Sequence, residues 1–448
     1  MTMTHVDNLS DSLSDDLLTK CCIRRAFLVL SALCLVYTGC TAHQDTQPDE
    51  EMSQRVGINT LREPFHKSDT TCGPFPKYYL EYLDDTLCTK RLPSNRDREF
   101  QCPVQSSIAS INQQPAYLPI DVKSPHEVEV DTTTLVSFVP PEVTVTMILI
   151  RRVNGIPHYR YLSNGKHDDI VQTWSSSKFL GIMNASESLR YTSNGELGLD
   201  AYIDDIPLGD LVTVVHNYDE RRYTSNSLMY WFHDIGGRFF ANEIIHWRWL
   251  HRPDDEIFGA NYGAKPPELG FTFTRDDLVV DIKQDQGWTR TNSLSTFTLA
   301  EALKRLVMYR ENPETQLEYS TWDDVKVLLY GASDSLWYDE KTPQGMEGDV
   351  SVYMQQAVDI DQVEQNTQGQ WRIFSKLGLG SSRGGEFVHT DYACLPVFDD
   401  AGNPVVDQGL EMVLSIHLPA DHHYAGADQK LAEIYQSLAR SVLTGQLR

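Results

Sequence analysis

Two apolar, β-branched runs joined by Asn154-Gly155 are the strongest constraint on what this chain can build. Val143 to Val153 forms the first run and Ile156 to Leu162 the second. Asn-Gly supplies the two positive-φ positions of a tight hairpin turn, so the pair predicts two antiparallel strands. Arg151-Arg152 ends the first strand and is expected to face solvent. Beyond the hairpin the pattern becomes helical at Trp174-Ser175-Ser176-Ser177-Lys178, and Lys178 to Ala185 reads as a buried helix. Residues three apart share a helix face, so the Ser175 hydroxyl can meet the Lys178 amine. A serine becomes a nucleophile when a neighbour takes its proton, and a lysine in a suitable environment can do so. Ser163-Asn164-Gly165-Lys166 has the same spacing, but Asn-Gly among polar residues reads as a turn, where the shared face is lost.

The chain has 448 residues, enough for one large domain with a smaller attachment. Its formal charge of −25 excludes a generally basic nucleic-acid footprint and predicts a solvated acidic exterior. The N-terminus reads as a targeting segment. Lys20, Arg24 and Arg25 precede an apolar run, Ala26 to Tyr37, that is short for a bilayer span and suits a signal-peptide core. The run ends in Tyr37-Thr38-Gly39-Cys40, which resembles a bacterial lipobox. That resemblance implies lipidation at Cys40, although Tyr37 stands where an aliphatic residue is usual. Without residues 1–40 the chain stays near −24.

Four of the eight cysteines lie in the leader, leaving Cys72, Cys88, Cys102 and Cys394. In an oxidising compartment Cys72, Cys88 and Cys102 are near enough in sequence for one local disulfide, with the pair undetermined. Zinc is the competing reading, and no Cys-x-x-Cys or paired histidine spacing supports it. His167, His246, His251, His422 and His423 form no ligand set either. We therefore expect neither a metal nor another cofactor.

The organisation follows as residues 1–40, signal peptide; 41–55, an acidic tether; 56–141, an irregular cysteine-bearing region with the Tyr78 to Tyr82 patch, expected to pack on the body; and 142–448, the main domain. Pro207-Leu208-Gly209-Asp210 opens a helix. Ser227 to Asp234 forms another that stops at Gly236-Gly237. Phe239 to Trp288 has no clean period and is a candidate site lining. Helical period returns over Leu299 to Tyr309 and Trp322 to Leu329. Trp371 to Ser375, Phe387 to Val397 and Leu410 to Leu418 read as strands, with a turn at Asp400-Ala401-Gly402-Asn403. A last helix, Asp428 to Leu443, should lie on that sheet.

Three elements stand in order: Ser175-x-x-Lys178, Thr224-Ser225-Asn226 and Lys376-Leu377-Gly378. Each has a plain structural reading, the second as a helix cap and the lysine of the third as a solvated strand end. A copy of the second, Thr192-Ser193-Asn194, lies upstream without an apolar helix after it. Together the three resemble the serine β-lactamase and penicillin-binding-protein superfamily, nearest to the class A type, over roughly Val143 to the C-terminus. The resemblance implies an α+β fold, an antiparallel sheet flanked by helices with a helical subdomain, beside the small irregular N-terminal region.

It also implies roles. Ser175 would attack a carbonyl with Lys178 as base, Thr224 with Lys376 would return a proton to the leaving nitrogen, and Asn226 would hold a substrate amide. The backbone N–H groups of Ser175 and Leu379, beside Gly378, would form an oxyanion hole. Lys376, aided by Arg383, would attract a carboxylate. Two departures stand out. Leu377 replaces a hydroxyl residue, and no Glu-x-x-Leu-Asn occurs, since Glu243, Glu256 and Glu268 lack that context. The expectation is an exported, lipid-anchored serine hydrolase acting on a β-lactam, a D-Ala-D-Ala peptide or a small ester. The alternative is a catalytically silent envelope protein that uses this fold for binding. The expected partners are a small-molecule or peptidoglycan-type substrate and a membrane, not nucleic acid. No particular oligomeric state is implied.

Overall fold

The computed structural model describes residues 90–447 except 113–116, 118–127, 220–221, 286, 288–290, 381–385 and 420–423. The leader with Cys40, the tether, Tyr78 to Tyr82, Cys72, Cys88, Arg383, His422 and His423 lie outside the described residues.

The strands, in chain order, are β1 Val130–Asp131, β2 Thr144–Val153, β3 Ile156–Ser163, β4 Ile170–Gln172, β5 Tyr202–Ile203, β6 Ile206–Pro207, β7 Thr272–Arg275, β8 Leu278–Asp281, β9 Ser293–Ser295, β10 Arg372–Gly380, β11 Glu386–Leu395 and β12 Leu410–Leu418. The helices are α1 Ile108–Asn112, α2 Lys178–Thr192, α3 Leu208–Asn217, α4 Ser225–Gly236, α5 Arg238–Glu243, α6 Thr296–Val307, α7 Trp322–Tyr330, α8 Tyr353–Ala357, α9 Ile360–Thr367 and α10 Tyr424–Leu443.

The expected hairpin forms: Asn154 and Gly155 take φ of 51° and 80°, and β2 pairs antiparallel with β3. The main sheet runs β1-β3-β2-β12-β11-β10 and is antiparallel except where β1 meets β3. Early strands and late strands thus share one α+β sheet, with most helices between them in sequence.

Strand side chains alternate between faces, and here both faces are covered. On one face Ile148, Tyr161, Phe374, Val388 and Val413 join a core with Leu180 and Met183 of α2 and Trp231 of α4. On the other, Met147, Ile373, Leu377, Leu414 and Ile416 pack with Leu431, Tyr435 and Leu438 of α10, so the last helix lies on the sheet as its period predicts. Each such side chain contributes roughly 1.5–3 kcal/mol by leaving water.

Three expectations need correction. Arg151 and Arg152 are buried. Arg152 donates to both carboxylate oxygens of Glu411, at 2.6 and 2.7 Å, and also pairs with Glu311. A buried guanidinium persists because these partners replace its water. The stretch Phe239 to Trp288 holds regular pieces: α5, a π-helical turn at Ile244–Arg248, and the β7–β8 hairpin. Finally, Cys102 bonds Cys394 on β11, 292 residues away, rather than a sequence neighbour.

That disulfide anchors a strap, residues 90–107, which crosses the body without helix or strand. Glu99 receives Arg310, Lys326 and the Trp322 indole, while the Arg372 guanidinium lies 4.1 Å from the Phe100 ring. At its far end Ser107 donates to Asp407 at 2.7 Å.

Candidate active site

Ser175 lies in a short 3₁₀ turn, Trp174–Ser177, that runs into α2. Trp174 takes a φ of 49°, a left-handed conformation that a bulky residue adopts only when its surroundings impose it. Its indole donates to Glu386 at 2.8 Å, and Glu386 in turn pairs with His417 at 3.0 Å. The next two serines are buried. Ser176 donates to the Lys376 carbonyl at 3.1 Å and Ser177 to the Trp174 carbonyl at 3.2 Å. Ser175 itself is half-exposed, so of the three serines it alone meets solvent.

Strand β10 passes directly under this turn. A Cβ on Gly378 would sit 2.5 Å from the Thr173 oxygen and 3.0 Å from the Ser175 nitrogen, and one on Gly380 would sit 2.3 Å from the Trp174 ring. Only glycine at these two positions permits so close an approach. Leu379, between them, packs toward the α10 side. Lys376 and Gly378 share the face of Phe374, whereas Leu377 points into the α10 core, 3% exposed. The hydroxyl that the resemblance expects at position 377 is thus replaced by a core side chain.

Lys178 is fully buried. Its amine donates to Ser225 at 2.9 Å and to the Asn226 side-chain oxygen at 2.6 Å. It also lies 5.0 Å from the Tyr262 ring centre and 5.5 Å from that of Tyr218, within range of cation–π attraction. The elements that bring these groups together are the N-terminal turns of α2 and α4. Thr224 is the N-cap of α4: it is exposed, and its oxygen accepts from the Ser227 amide at 3.1 Å. The hydroxyl bonded to Lys178 is that of Ser225, the middle residue of the motif, which also donates to the Val215 carbonyl at 2.8 Å.

Lys376 is buried rather than a solvated strand end. Its amine meets Asp349 at 2.9 Å, the Tyr218 hydroxyl at 3.0 Å and the Leu377 carbonyl at 3.1 Å. Asp349 also accepts from Ser351, at 2.7 Å from its hydroxyl. Burial pushes the Asp349 carboxyl up, but Lys376 and then Lys90 act against this and hold it well below the usual range. The group therefore stays ionised.

Tyr218 ends α3 in a left-handed conformation, φ 55°. That turn brings its ring 4.4 Å from the Lys376 amine and 5.5 Å from that of Lys178. Ser175, Lys178, Asn226, Lys376 and Gly378 are gathered around this ring and strand. Thr224 stands at the rim, on the outer end of α4. Tyr218, Ser225 and Asp349 escaped the sequence reading. Ser225 alone had a signal, its place inside the second motif.

Glu256 does not approach Lys178 through any of its bonds. It is buried and accepts from Arg252, Ser295 and Thr298, tying its loop to the start of α6. Asn261 and Tyr262 follow in the same loop, and the Tyr262 hydroxyl lies 3.4 Å from Ser177.

No protein-family model matches the sequence. No curated protein matches it either. Among solved structures it is similar to a β-lactamase from Sphaerobacter thermophilus, at 15% identity, covering 68% of this chain and 92% of that one, with a TM-score of 0.37. It is likewise similar to a representative class A β-lactamase from Bacteroides cellulosilyticus, at 12% identity, covering 70% and 96%, TM-score 0.35. A third is a β-lactamase from Burkholderia vietnamiensis, at 9% identity, covering 67% and 90%, TM-score 0.35.

Proposed function

We propose that the protein is a serine hydrolase that forms an acyl-enzyme at Ser175. The observation that carries this reading is the convergence of the Lys178 and Lys376 amines on the Tyr218 ring, with the half-exposed Ser175 in the turn that Gly378 of β10 approaches. Lys178, acting as the base, takes the Ser175 proton as the Ser175 oxygen bonds to the substrate carbonyl carbon. Ser225 and Asn226 hold that amine in place. The carbonyl π electrons move to oxygen, to which the Ser175 and Leu379 backbone N–H groups donate hydrogen bonds, and the electrons' return expels the leaving nitrogen or oxygen. The leaving group takes up the proton held on Lys178, the step assigned to exposed Thr224 with Lys376. Water then cleaves the ester and restores Ser175. The substrate class is an amide or ester with a nearby carboxylate: a β-lactam, a D-Ala-D-Ala peptide or a small ester, with Lys376 and Arg383 on the carboxylate.

We place the protein outside the cytoplasm, held at the membrane by a lipid on Cys40. The Cys102–Cys394 disulfide supports an oxidising compartment. Labelled fatty acid should enter the wild type and not Cys40→Ser.

A second reading, a silent binder, has one observation in its favour: Leu377 faces the core instead of the site. Intact mass after incubation with a fluorescent penicillin and with an activated ester separates the two. An adduct in the wild type that is absent from Ser175→Ala supports the hydrolase. No adduct with either donor overturns it.

A further inference from the structure

The strap that crosses the body passes the candidate site at Lys90. Lys90 is half-buried, and its amine donates to the Asp349 carbonyl at 3.0 Å and to the Ser375 hydroxyl at 3.3 Å. Asp349 is the carboxylate of Lys376, and Ser375 precedes Lys376 on β10. Lys90 therefore joins both supports of the third-motif lysine: the backbone of its counter-ion and the strand that carries it. The strap is locked beside this point. Arg91 and Gln355 exchange bonds of 2.9 Å, Arg96 pairs with Glu347 at 2.7 Å, and Cys102 is bonded to Cys394.

Charge gives Lys90 a second consequence. Burial lowers the Lys90 amine from its ordinary value, Asp349, Asp391 and Glu347 oppose this by attracting its charge, and Lys376 repels it. With Arg96 on Glu347, three cations stand against three carboxylates. Removing Lys90 leaves an excess negative charge beside Lys376, in a setting where charges are weakly screened. An anionic ligand would then be disfavoured, and a neutral one would not.

We propose that Lys90 is a positioning residue: the strap delivers it to fix Asp349 and β10, and its charge allows Lys376 to receive a substrate carboxylate. This rests on the serine-hydrolase reading above. It makes the strap part of the site's specificity for anionic acyl donors.

The test uses the full chain and compares wild type, Lys90→Met, Lys90→Arg and, as a strap control, Arg91→Ala. Arg91 is exposed, and its side chain pairs with Asp361 on the surface. Acylation of Ser175 is timed by intact mass with an anionic fluorescent penicillin and with a neutral activated ester. Lys90→Met should slow the penicillin reaction about tenfold or more and leave the neutral ester within about twofold. Lys90→Arg should recover most of the loss, and Arg91→Ala should match the wild type. Hydrogen exchange of residues 345–352 and 372–380 is measured on the same proteins and should speed up in Lys90→Met alone. Equal slowing of both donors, or of neither, overturns the proposal. If the wild type takes up neither donor, the serine reading fails. Exchange then decides the positioning role: unchanged exchange in Lys90→Met overturns it, and faster exchange in both segments upholds it.

Discussion

The two motif lysines are equally buried and differently held. Lys178 rests against neutral oxygens, Ser225 and Asn226, and the ring faces of Tyr218 and Tyr262. Lys376 rests on an ionised carboxylate, Asp349, whose backbone carbonyl accepts from Lys90. A carboxylate partner fixes an amine in its charged form, whereas neutral partners let a proton come and go at less cost. Under the proposed function, this difference puts proton transfer at the Lys178 end and fixed charge at the Lys376 end.

The sharpest way to break this comparison is to remove each amine. Lys376→Met strands Asp349 without its main partner and should cost about 3–5 kcal/mol in urea denaturation. Lys178→Met leaves the Ser225 and Asn226 oxygens without that donor and should cost about 1–3 kcal/mol, while abolishing the Ser175 adduct. Equal losses would erase the distinction.

Acid and base dissect the same contrast. The Asp349 carboxyl is held low in the folded state, so it adds stability above the ordinary aspartate value, and this is lost as pH falls below about 4. Asp349→Asn should flatten that acid limb. On the α10 side of the sheet the sign reverses. Burial, opposed by the Tyr353 bond, pushes Asp428 up to about 7. Its contribution is complete below about pH 4 and gone once pH rises past about 7. Asp428→Asn should therefore gain on the order of a few kcal/mol at pH 8 relative to pH 5, read from paired denaturation curves.

Smaller changes test how the two ends are joined. Gly378→Ala forces β10 away from the Ser175 turn and should cost about 1–3 kcal/mol and slow acylation. Thr224→Ala removes an N-cap and should cost about 1 kcal/mol. If it also slows acylation more than Ser225→Ala does, Thr224 is the proton carrier of the proposed cycle; the opposite order gives that place to Ser225.

Much of this was legible because it is local. Asn154-Gly155 specified its hairpin, the period after Pro207 specified α3, and Gly236-Gly237 specified the stop of α4. The helix after Ser175 was legible from its apolar run, but Ser175 itself sits in the 3₁₀ turn ahead of it, and Lys178 donates to Ser225 and Asn226. What escaped depends on meetings that no local pattern encodes. Tyr218 reaches Lys376 across 158 positions, and Lys90 reaches Ser375 across 285. The basic pair at the end of β2 looked solvent-facing because the pattern of one strand carries no word of Glu411 on the next. Leu377 reads as a departure in a motif and is, in three dimensions, an ordinary core leucine.

The cystine between positions 102 and 394 encloses most of the folded body in one covalent ring. A protease that cuts the backbone once anywhere inside that ring would release nothing. The two halves would migrate as a single species until a thiol is added, so a nicked molecule still keeps its parts together.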